Sequence, residues 1–159
     1  NYDYELNQIF FKDLKIKKPK YFLNCAGKTS IETISKVISK TEKVFKFEKP
    51  DAIVVYGDTN SCLSVITAKR LKIPIFHFEA GNRSYDQNIP EELNRKIVDH
   101  ISDINFVLTE HARRYLLSEG IKGDVIFKTG SFLPEIFNIY KNNLNKTNIL
   151  NNLNLKKKK

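Results

Sequence analysis

The 159 residues include 41% hydrophobic and 28% charged side chains and carry a net charge of +9, a composition typical of one globular domain with a core of its own. No apolar run approaches the ~20 residues of a membrane helix, and the first residues lack the pattern of a secretory signal, so we expect no membrane partner. Four positive charges belong to residues 156–159, and the other lysines lack the interleaved aromatic residues of a nucleic-acid surface, so we expect no nucleic-acid partner.

Short segments rich in β-branched and aromatic residues alternate with helical patterns along the chain. The short segments predict buried parallel strands, and they cover residues 21–25, 52–56, 73–78, 104–108 and 125–129. The helical patterns cover residues 30–48, 62–71, 90–101 and 110–119. This alternation predicts an α/β fold with a doubly wound parallel sheet of the Rossmann-like type.

The first of these helices has the clearest boundary. Its apolar side chains recur mostly three and four positions apart, and Thr29 with Glu32 has the spacing of a capping box. Gly120 is expected to end the last helix. Beyond Phe137 the chain is dense in asparagine and lysine, which indicates a solvated, partly helical tail.

The stretch CAGKTS at residues 25–30 contains the GK[ST] that ends a phosphate-binding loop. A P-loop also needs a glycine five positions before its second glycine, and Phe22 stands there, within a predicted strand. We therefore interpret the stretch as a turn followed by a helix cap, and we expect no nucleotide hydrolysis. Cys25 and Cys62 form no CxxC pair and are interpreted as core thiols in a reducing compartment.

Two acidic residues follow neighbouring predicted strands at the point where each strand ends. Asp58 comes after the strand over residues 52–56, and Glu79 comes after the strand over residues 73–78. The carboxyl ends of parallel strands meet at one edge of a sheet, where α/β proteins bind ligands, so the two carboxylates should face one crevice. Capping of the next helix by Asp58 or Thr59 is the alternative.

A second group of charged residues follows in the next loop and helix. Glu91 and Glu92 start the helix after Pro90, where they either join the crevice or complement the helix dipole. Arg83 and Arg95 could bind phosphate or orient the carboxylates.

Carboxylates gathered at one crevice suit proton transfer at carbon. Neighbouring acids and partial burial raise the pKa of a carboxyl group into the range of a general base. This favours sugar or hydroxy-acid chemistry. The histidines and cysteines show no metal-binding spacing, so we expect no metal.

Four motifs stand in a fixed order along the middle of the chain. They are GDT at residues 57–59, HFEAG at 77–81 with Arg83, PEELNR at 90–95 and TG at 129–130. In order and spacing the chain resembles the non-hydrolysing UDP-N-acetylglucosamine 2-epimerase family. The stretch GNRSYDQNIPEELNRKIVDHISDIN is most similar to the branch that acts on modified UDP-amino sugars, such as UDP-N-acetyl-L-fucosamine synthases and UDP-diacetamido-glucuronate 2-epimerases.

The resemblance implies two Rossmann-like domains arranged as in GT-B glycosyltransferases. Residues 1–137 would form the N-terminal domain without its first strand, and residues 138–159 would connect it to a C-terminal domain outside the chain. We therefore expect these residues to be part of a longer enzyme and to be inactive alone. The resemblance also implies a cytoplasmic protein that forms a homodimer at full length and serves polysaccharide synthesis.

The activity implied is inversion at C2 of a UDP-N-acetylamino sugar, by elimination and re-addition of UDP, without a cofactor or a metal. Three positions match the catalytic carboxylates of the family: Asp58, Glu79 and Glu91. Three others match residues that bind the substrate or organise the site: Arg83, Asn94 and Arg95. Glu92 is expected to do no more than cap its helix. Two other classes remain open, namely a GT-B glycosyltransferase and a non-catalytic module that binds nucleotide sugars.

Overall fold

A computed structural model of the chain describes residues 8–146 and 148–155. The helices are α1 (Gln8–Asp13), α2 (Ser30–Glu48), α3 (Ser64–Arg70), α4 (Pro90–Ile101), α5 (Glu110–Ser118), α6 (Leu133–Lys146) and α7 (Ile149–Asn152). The strands are β1 (Ile53–Tyr56), β2 (Ile75–Phe78), β3 (Ile104–Val107) and β4 (Ile126–Lys128), and short 3₁₀ helices cover Asn60–Leu63 and Gly123–Val125. No helix in these described parts is both long and apolar enough to cross a membrane.

The four strands form one parallel sheet in the order β1-β2-β3-β4. Val55, His77, Asn105 and Ile126 lie side by side in one row across the sheet. The ends of the four strands agree with the sequence prediction to within two residues. The predicted α/β class with a parallel sheet is therefore confirmed.

The main core lies between one face of the sheet and the helices that connect its strands. Because the strands follow one another in chain order with right-handed crossovers, the connecting helices α3, α4 and α5 lie on the same face. Val65 and Val98 are wholly buried there with Ile75 of β2, and a second buried cluster joins α5 to β3 and β4. Cys62 belongs to the first cluster, whereas Cys25 is only half-buried.

The start of α2 agrees with the capping signal in the sequence. Thr29 Oγ1 accepts a hydrogen bond from Glu32 N at 3.1 Å, and Glu32 Oε2 accepts one from Lys28 N at 2.7 Å. These bonds satisfy amide groups that a helix start leaves without partners. The GKT segment is therefore a helix cap, as predicted, and Gly120 follows the end of α5 with a φ of +88°.

Residues 21–25 form no strand, so the prediction of a fifth strand is wrong. Asn24 has a φ of 45°, in the left-handed region that an extended ladder does not accommodate. The carbonyl groups of Leu23 and Asn24 accept hydrogen bonds from Lys40 Nζ at 2.7 and 2.9 Å. The side chain of Lys40 thus occupies two carbonyl groups to which the amides of a neighbouring strand would otherwise donate.

The C-terminal part of the described chain is helical. Helix α6 runs through Phe137, where the composition changes, and α7 follows it, which confirms a partly helical tail. The division between residues 1–137 and 138–159 stays a prediction. The lysines at residues 156–159 lie outside the described residues.

Candidate active site

Two turns at the carboxyl edge of the sheet carry Asp58 and Glu79. Gly57 follows β1 with a φ of +78°, and its amide donates to Phe78 O at 3.0 Å. Glu79 follows β2 with a φ of 65°, a conformation that is uncommon for residues with a side chain and often marks a functional turn. The side chains of Asp58 and Glu79 are 20% and 29% exposed. Neighbouring strands thus bring the two carboxylates to one edge, as predicted.

Arg95 extends from α4 and connects these two turns. Its guanidinium group forms an ion pair with Asp58 Oδ2 and donates a hydrogen bond to the main-chain oxygen of Glu79. Arg95 Nη2 also lies 3.9 Å from Glu79 Oε2. A planar guanidinium with several donors can hold two acceptors at once. Arg95 therefore contacts both of the turns that carry the predicted carboxylates.

Glu91 faces the same pocket as Asp58. It lies in the first turn of α4, directly after Pro90, and is exposed. The pocket has a volume of about 240 Å³, and Asp58, Glu91 and Arg95 line it together with the loop that follows β2. Glu79 adjoins this pocket through its contact with Arg95. Asp58 and Glu91 therefore line one pocket with Arg95, and Glu79 lies beside the same arginine.

Glu92 anchors the loop after β2, so the expectation that it only caps the helix is wrong. It is 3% exposed, and its Oε2 accepts hydrogen bonds from Ser84 N at 2.8 Å and Ser84 Oγ at 3.2 Å. Lys96 Nζ lies 3.0 Å from Oε1. Burial opposes the charge of this group, but the bonds from Ser84 and the pairing with Lys96 hold the pKa of Glu92 below its ordinary value.

Arg83 holds the same loop from its other side. Its Nε and Nη2 donate to the two carboxylate oxygens of Glu119 at 2.7 and 2.6 Å, and its Nη1 donates to Asp99 Oδ2 at 2.7 Å. Burial alone would lower the pKa of Arg83, but the bonds with Glu119 and Asp99 raise that pKa above its ordinary value. Because each guanidinium nitrogen donates to the protein, Arg83 is placed to organise the site.

Asn94 supports the segment that follows Asp58. It is 4% exposed, and its Nδ2 donates to Asn60 Oδ1 at 2.9 Å, at the start of the short helix Asn60–Leu63. Thr59 occupies the N-cap position of that helix without a side-chain capping bond. The carboxylate of Asp58 pairs with Arg95 instead, so capping does not explain these residues.

His77 and Asp99 contact the residues of both turns, and their sequence context predicts no role for them. Both side chains are wholly buried, and His77 Nε2 donates to Gly57 O at 2.8 Å. His77 Nδ1 lies 2.8 Å from Asp99 Oδ1, at an angle outside that of a hydrogen bond. One signal in the sequence could have found Asp99. Glu92, Arg95 and Asp99 recur three and four positions apart, which puts them on one helix face.

This arrangement is suited to proton transfer. Carboxylates held at a pocket by an arginine can take up and release protons on a bound molecule. Among residues 8–146 and 148–155, no group of three or more His, Cys, Asp or Glu side chains is placed to hold a metal ion.

The whole chain matches a family of known proteins. The family model described as UDP-N-acetylglucosamine 2-epimerase matches residues 1–159. The UDP-N-acetylglucosamine 2-epimerase of Methanocaldococcus jannaschii is 46% identical over 136 residues, which are 85% of this chain and 37% of that protein. The UDP-2,3-diacetamido-2,3-dideoxy-D-glucuronate 2-epimerase of Pseudomonas aeruginosa is 41% identical over 77% of this chain and 35% of that protein.

Solved structures share the fold. The UDP-N-acetylglucosamine 2-epimerase from Rickettsia bellii superposes with a TM-score of 0.89 and 56% identity, over 98% of this chain and 42% of that one. The M. jannaschii enzyme, solved in complex with UDP-GlcNAc and UDP, superposes with a TM-score of 0.89 and 39% identity, over 96% of this chain and 42% of that one. The chain therefore spans about two fifths of the length of these proteins.

Proposed function

The chain belongs to the UDP-N-acetylglucosamine 2-epimerase family, and we propose that it carries the catalytic carboxylates of an enzyme that inverts C2 of a UDP-N-acetylamino sugar. The observation that carries this proposal is the arrangement around Arg95. That side chain holds Asp58 and the turn of Glu79 together, and Glu91 lines the same pocket. We propose that these carboxylates, which come from two strand ends and a helix start, act on the two faces of one sugar carbon.

The proposed reaction is an elimination followed by an addition. One carboxylate removes the proton from C2, the C1–O bond to UDP breaks, and its electron pair leaves with UDP while a C1–C2 double bond forms. UDP then adds back to C1, and a second carboxyl group returns a proton to the opposite face of C2. Each step moves a proton or a leaving group, so the reaction needs no oxidant or reductant.

The remaining predicted residues support this site in different ways. Arg83 and Asn94 are proposed to organise it, because both are buried in contacts with the protein. Arg95 is proposed to hold the carboxylates and to meet the substrate at the pocket it lines. The free thiols of Cys25 and Cys62 suit a reducing compartment, which supports a cytoplasmic location.

The substrate is proposed to be a UDP-amino sugar. The M. jannaschii relative is solved with UDP-GlcNAc and UDP, and the P. aeruginosa relative is named for a diacetamido glucuronate. UDP-GlcNAc and the UDP-diacetamido sugar should therefore be assayed side by side, and the larger kcat/KM identifies the preferred sugar.

The test is deuterium incorporation by the complete gene product. Incubated with either UDP-sugar in heavy water, it should place deuterium at C2, detected by loss of the C2 proton signal in NMR. The variants Asp58→Asn, Glu79→Gln and Glu91→Gln should each lower the rate at least about 100-fold, because each removes a proton-transfer group. Each should keep the fold, judged by circular dichroism.

Glu110→Gln is the matched control for Glu91→Gln. Glu110 also lies in the first turn of a helix, pairs with Arg113 at 3.5 Å and is 43% exposed, so its variant should retain the wild-type rate. Wild-type exchange in all three carboxylate variants would refute the assignment. Binding of the UDP-sugar without any exchange would indicate a non-catalytic binding module, and consumption only with an acceptor would indicate a transferase.

A further inference from the structure

Asp99 is a buried carboxylate that the proposed reaction does not use. It lies on α4, on the side that faces β2, and is 1% exposed. An ionised carboxylate away from water is costly unless charges or hydrogen bonds compensate it. The contacts of Asp99 therefore need a physical account.

Three groups surround the Asp99 carboxylate. Arg83 Nη1 donates to Oδ2 at 2.7 Å, and Gly81 N lies 3.3 and 3.2 Å from the two oxygens as a shared donor. His77 Nδ1 lies 2.8 Å from Oδ1. Arg83 is itself fixed by Glu119 through two parallel hydrogen bonds, so the carboxylate sits against a rigid partner.

The contact between Asp99 and the Gly81 amide fixes the end of β2. Gly81 follows Glu79 by two residues, and the intervening Ala80 donates its amide to Phe106 O at 3.0 Å. A Cβ at Gly81 would lie 2.6 Å from Ala112 O, so this turn is also packed tightly against α5. The bond from Gly81 N to Asp99 thus limits where the Glu79 carboxylate can point.

The contact between Asp99 and His77 reaches the end of β1. His77 Nε2 donates to Gly57 O at 2.8 Å, because a carbonyl group can only accept. Gly57 immediately precedes Asp58. Asp99 Oδ1 lies 2.8 Å from the other nitrogen of this ring, outside hydrogen-bond geometry. Asp99 therefore limits where the ring can lie, and the ring in turn holds the turn that carries Asp58.

We propose that Asp99 is a positioning residue that fixes the Asp58 carboxylate relative to that of Glu79. It acts on one strand end through the Gly81 amide and on the other through His77. The proposal depends on the proposed function, because the separation of the two carboxylates matters only if both act on one molecule. A misplacement of about 1 Å at a reacting centre can cost a rate factor of about 100.

Asp103 provides a matched control. Its Oδ2 accepts a hydrogen bond from Ile75 N at 2.9 Å, at the opposite end of β2, and its Oδ1 pairs with Lys69 at 2.7 Å. Asp103 thus binds a backbone amide at the start of β2, and Asp99 binds one in the turn that follows β2. Only Asp99 lies at the end that carries the proposed catalytic groups.

The experiment compares Asp99→Asn, His77→Gln, the double variant and Asp103→Asn in the complete gene product. Asp99→Asn should lower kcat for C2 exchange about 10- to 100-fold, while KM changes by less than about threefold. If Asp99 acts through His77, the double variant should lose little more than the worse single variant. Asp103→Asn should lower the urea midpoint and keep the wild-type kcat.

Three results would overturn the proposal: a folded Asp99→Asn enzyme with wild-type kcat, a double variant with additive losses, or an equal loss of kcat in Asp103→Asn. If Asp99→Asn does not fold, His77→Gln decides, and a wild-type kcat in that variant would also overturn it.

A second measurement separates this proposal from the proposed function. If the wild-type protein exchanges nothing at C2, the proposed function fails, and amide hydrogen exchange still tests positioning. His77→Gln should then raise the exchange rate of the Gly57 amide, which donates to Phe78 O, at least about tenfold. Unchanged protection of Gly57 would refute the positional role of the His77–Asp99 pair.

Discussion

The space beside the Glu79 carboxylate depends on the absence of a side chain at position 57. A Cβ at Gly57 would lie 3.2 Å from Glu79 Oε2, and Gly57 has a φ of +78°. Residues with a Cβ are strained in that conformation. Glu79 itself has a φ of 65°, so two adjacent turns both use the left-handed region to bring a carboxylate to Arg95.

Gly57→Ala should therefore affect the reaction as well as the fold. We expect a loss of about 1–2 kcal/mol in the free energy of unfolding from the left-handed backbone, together with at least a tenfold lower rate of C2 exchange, because the new methyl group displaces Glu79. The control is Gly120→Ala. Gly120 has a φ of +88° with open space around it, so it should lose similar stability and keep its rate.

The measurements are urea unfolding and deuterium incorporation by NMR. Equal rates for Gly57→Ala and wild type would show that the Glu79 carboxylate tolerates displacement, and the close contact would then have no catalytic meaning.

At the scale of elements, the sequence predicts most of the sheet, because each strand carries its own signal. Residues 52–56 and 73–78 are apolar runs that end at a turn, and that pattern alone predicts both strands. The pattern predicts their burial less well, because Ile75 and His77 of β2 are buried but Val54 and Tyr56 of β1 are 66% and 54% exposed. Residues 21–25 carry a similar apolar pattern. A strand also needs a neighbour with free hydrogen-bonding groups, and that information lies outside the segment, where Lys40 occupies the carbonyl groups.

The site residues that were predicted carry a signal in their own segment, whereas those that were missed depend on how the segment packs. Asp58 and Glu79 could be found because strand ends mark the ligand edge of a parallel sheet. Glu92 and Asp99 look like members of a solvated helix face until the position of α4 is known. The helix turns that face toward β2 and the loop after it, so its polar residues are buried. Sequence spacing identifies the shared face, but packing decides its direction.

The loop after β2 is held by α4 through Glu92, and this gives a prediction at the same scale. Glu92→Met keeps the helix and the approximate length of the side chain but removes the oxygen that accepts both hydrogen bonds from Ser84. We expect a loss of about 1–3 kcal/mol in the free energy of unfolding, and at least a tenfold faster hydrogen exchange at the Ser84 amide.

Glu42→Met is the control for this change. Glu42 also pairs with a lysine four positions later, Lys46, but its side chain is 49% exposed. Such exposed pairs contribute little, so the free energy of unfolding should stay close to that of wild type. Equal protection of the Ser84 amide in Glu92→Met and wild type would contradict the anchoring role.

At the scale of the whole molecule, the pair of Arg83 and Glu119 ties the end of α5 to the loop that carries the site. The hydrogen bonds from Arg83 lower the pKa of Glu119 below its ordinary value. A carboxyl group with a lowered pKa in the folded state stabilises the fold above its unfolded pKa, and this contribution is lost as the pH falls through the folded pKa. Glu119 should therefore stabilise the protein at neutral pH and lose this effect in acid.

Glu119→Gln should be less stable than wild type by about 1–3 kcal/mol at pH 7, and this difference should shrink below about pH 4.5. The measurement is urea unfolding of both proteins at pH 7 and in acid. Glu92 and Asp103 also have lowered pKa values, so both proteins should lose stability in acid. A difference between the two proteins that stays constant with pH would contradict a role for the Glu119 charge.

The site is open to solvent, and this predicts how the 159-residue polypeptide should behave by itself. The pocket of about 240 Å³ is smaller than the roughly 300–1,000 Å³ that enclose a typical small-molecule ligand. The chain also covers 42% of the protein solved with UDP-GlcNAc and UDP. A nucleotide sugar at Asp58 and Glu91 would therefore lie largely in water, where charges interact weakly and proton transfer gains little from the site.

A polypeptide of these 159 residues should consequently give no detectable C2 exchange with UDP-GlcNAc in heavy water, even when circular dichroism and cooperative urea unfolding show that it is folded. A complete enzyme of the family, assayed in the same buffer, serves as the positive control. Weak UDP binding by the folded polypeptide is compatible with this expectation, because the carboxylates and Arg95 are already in place. Deuterium at C2 would contradict it, and would mean that the residues around Arg95 suffice for catalysis without a further enclosing surface.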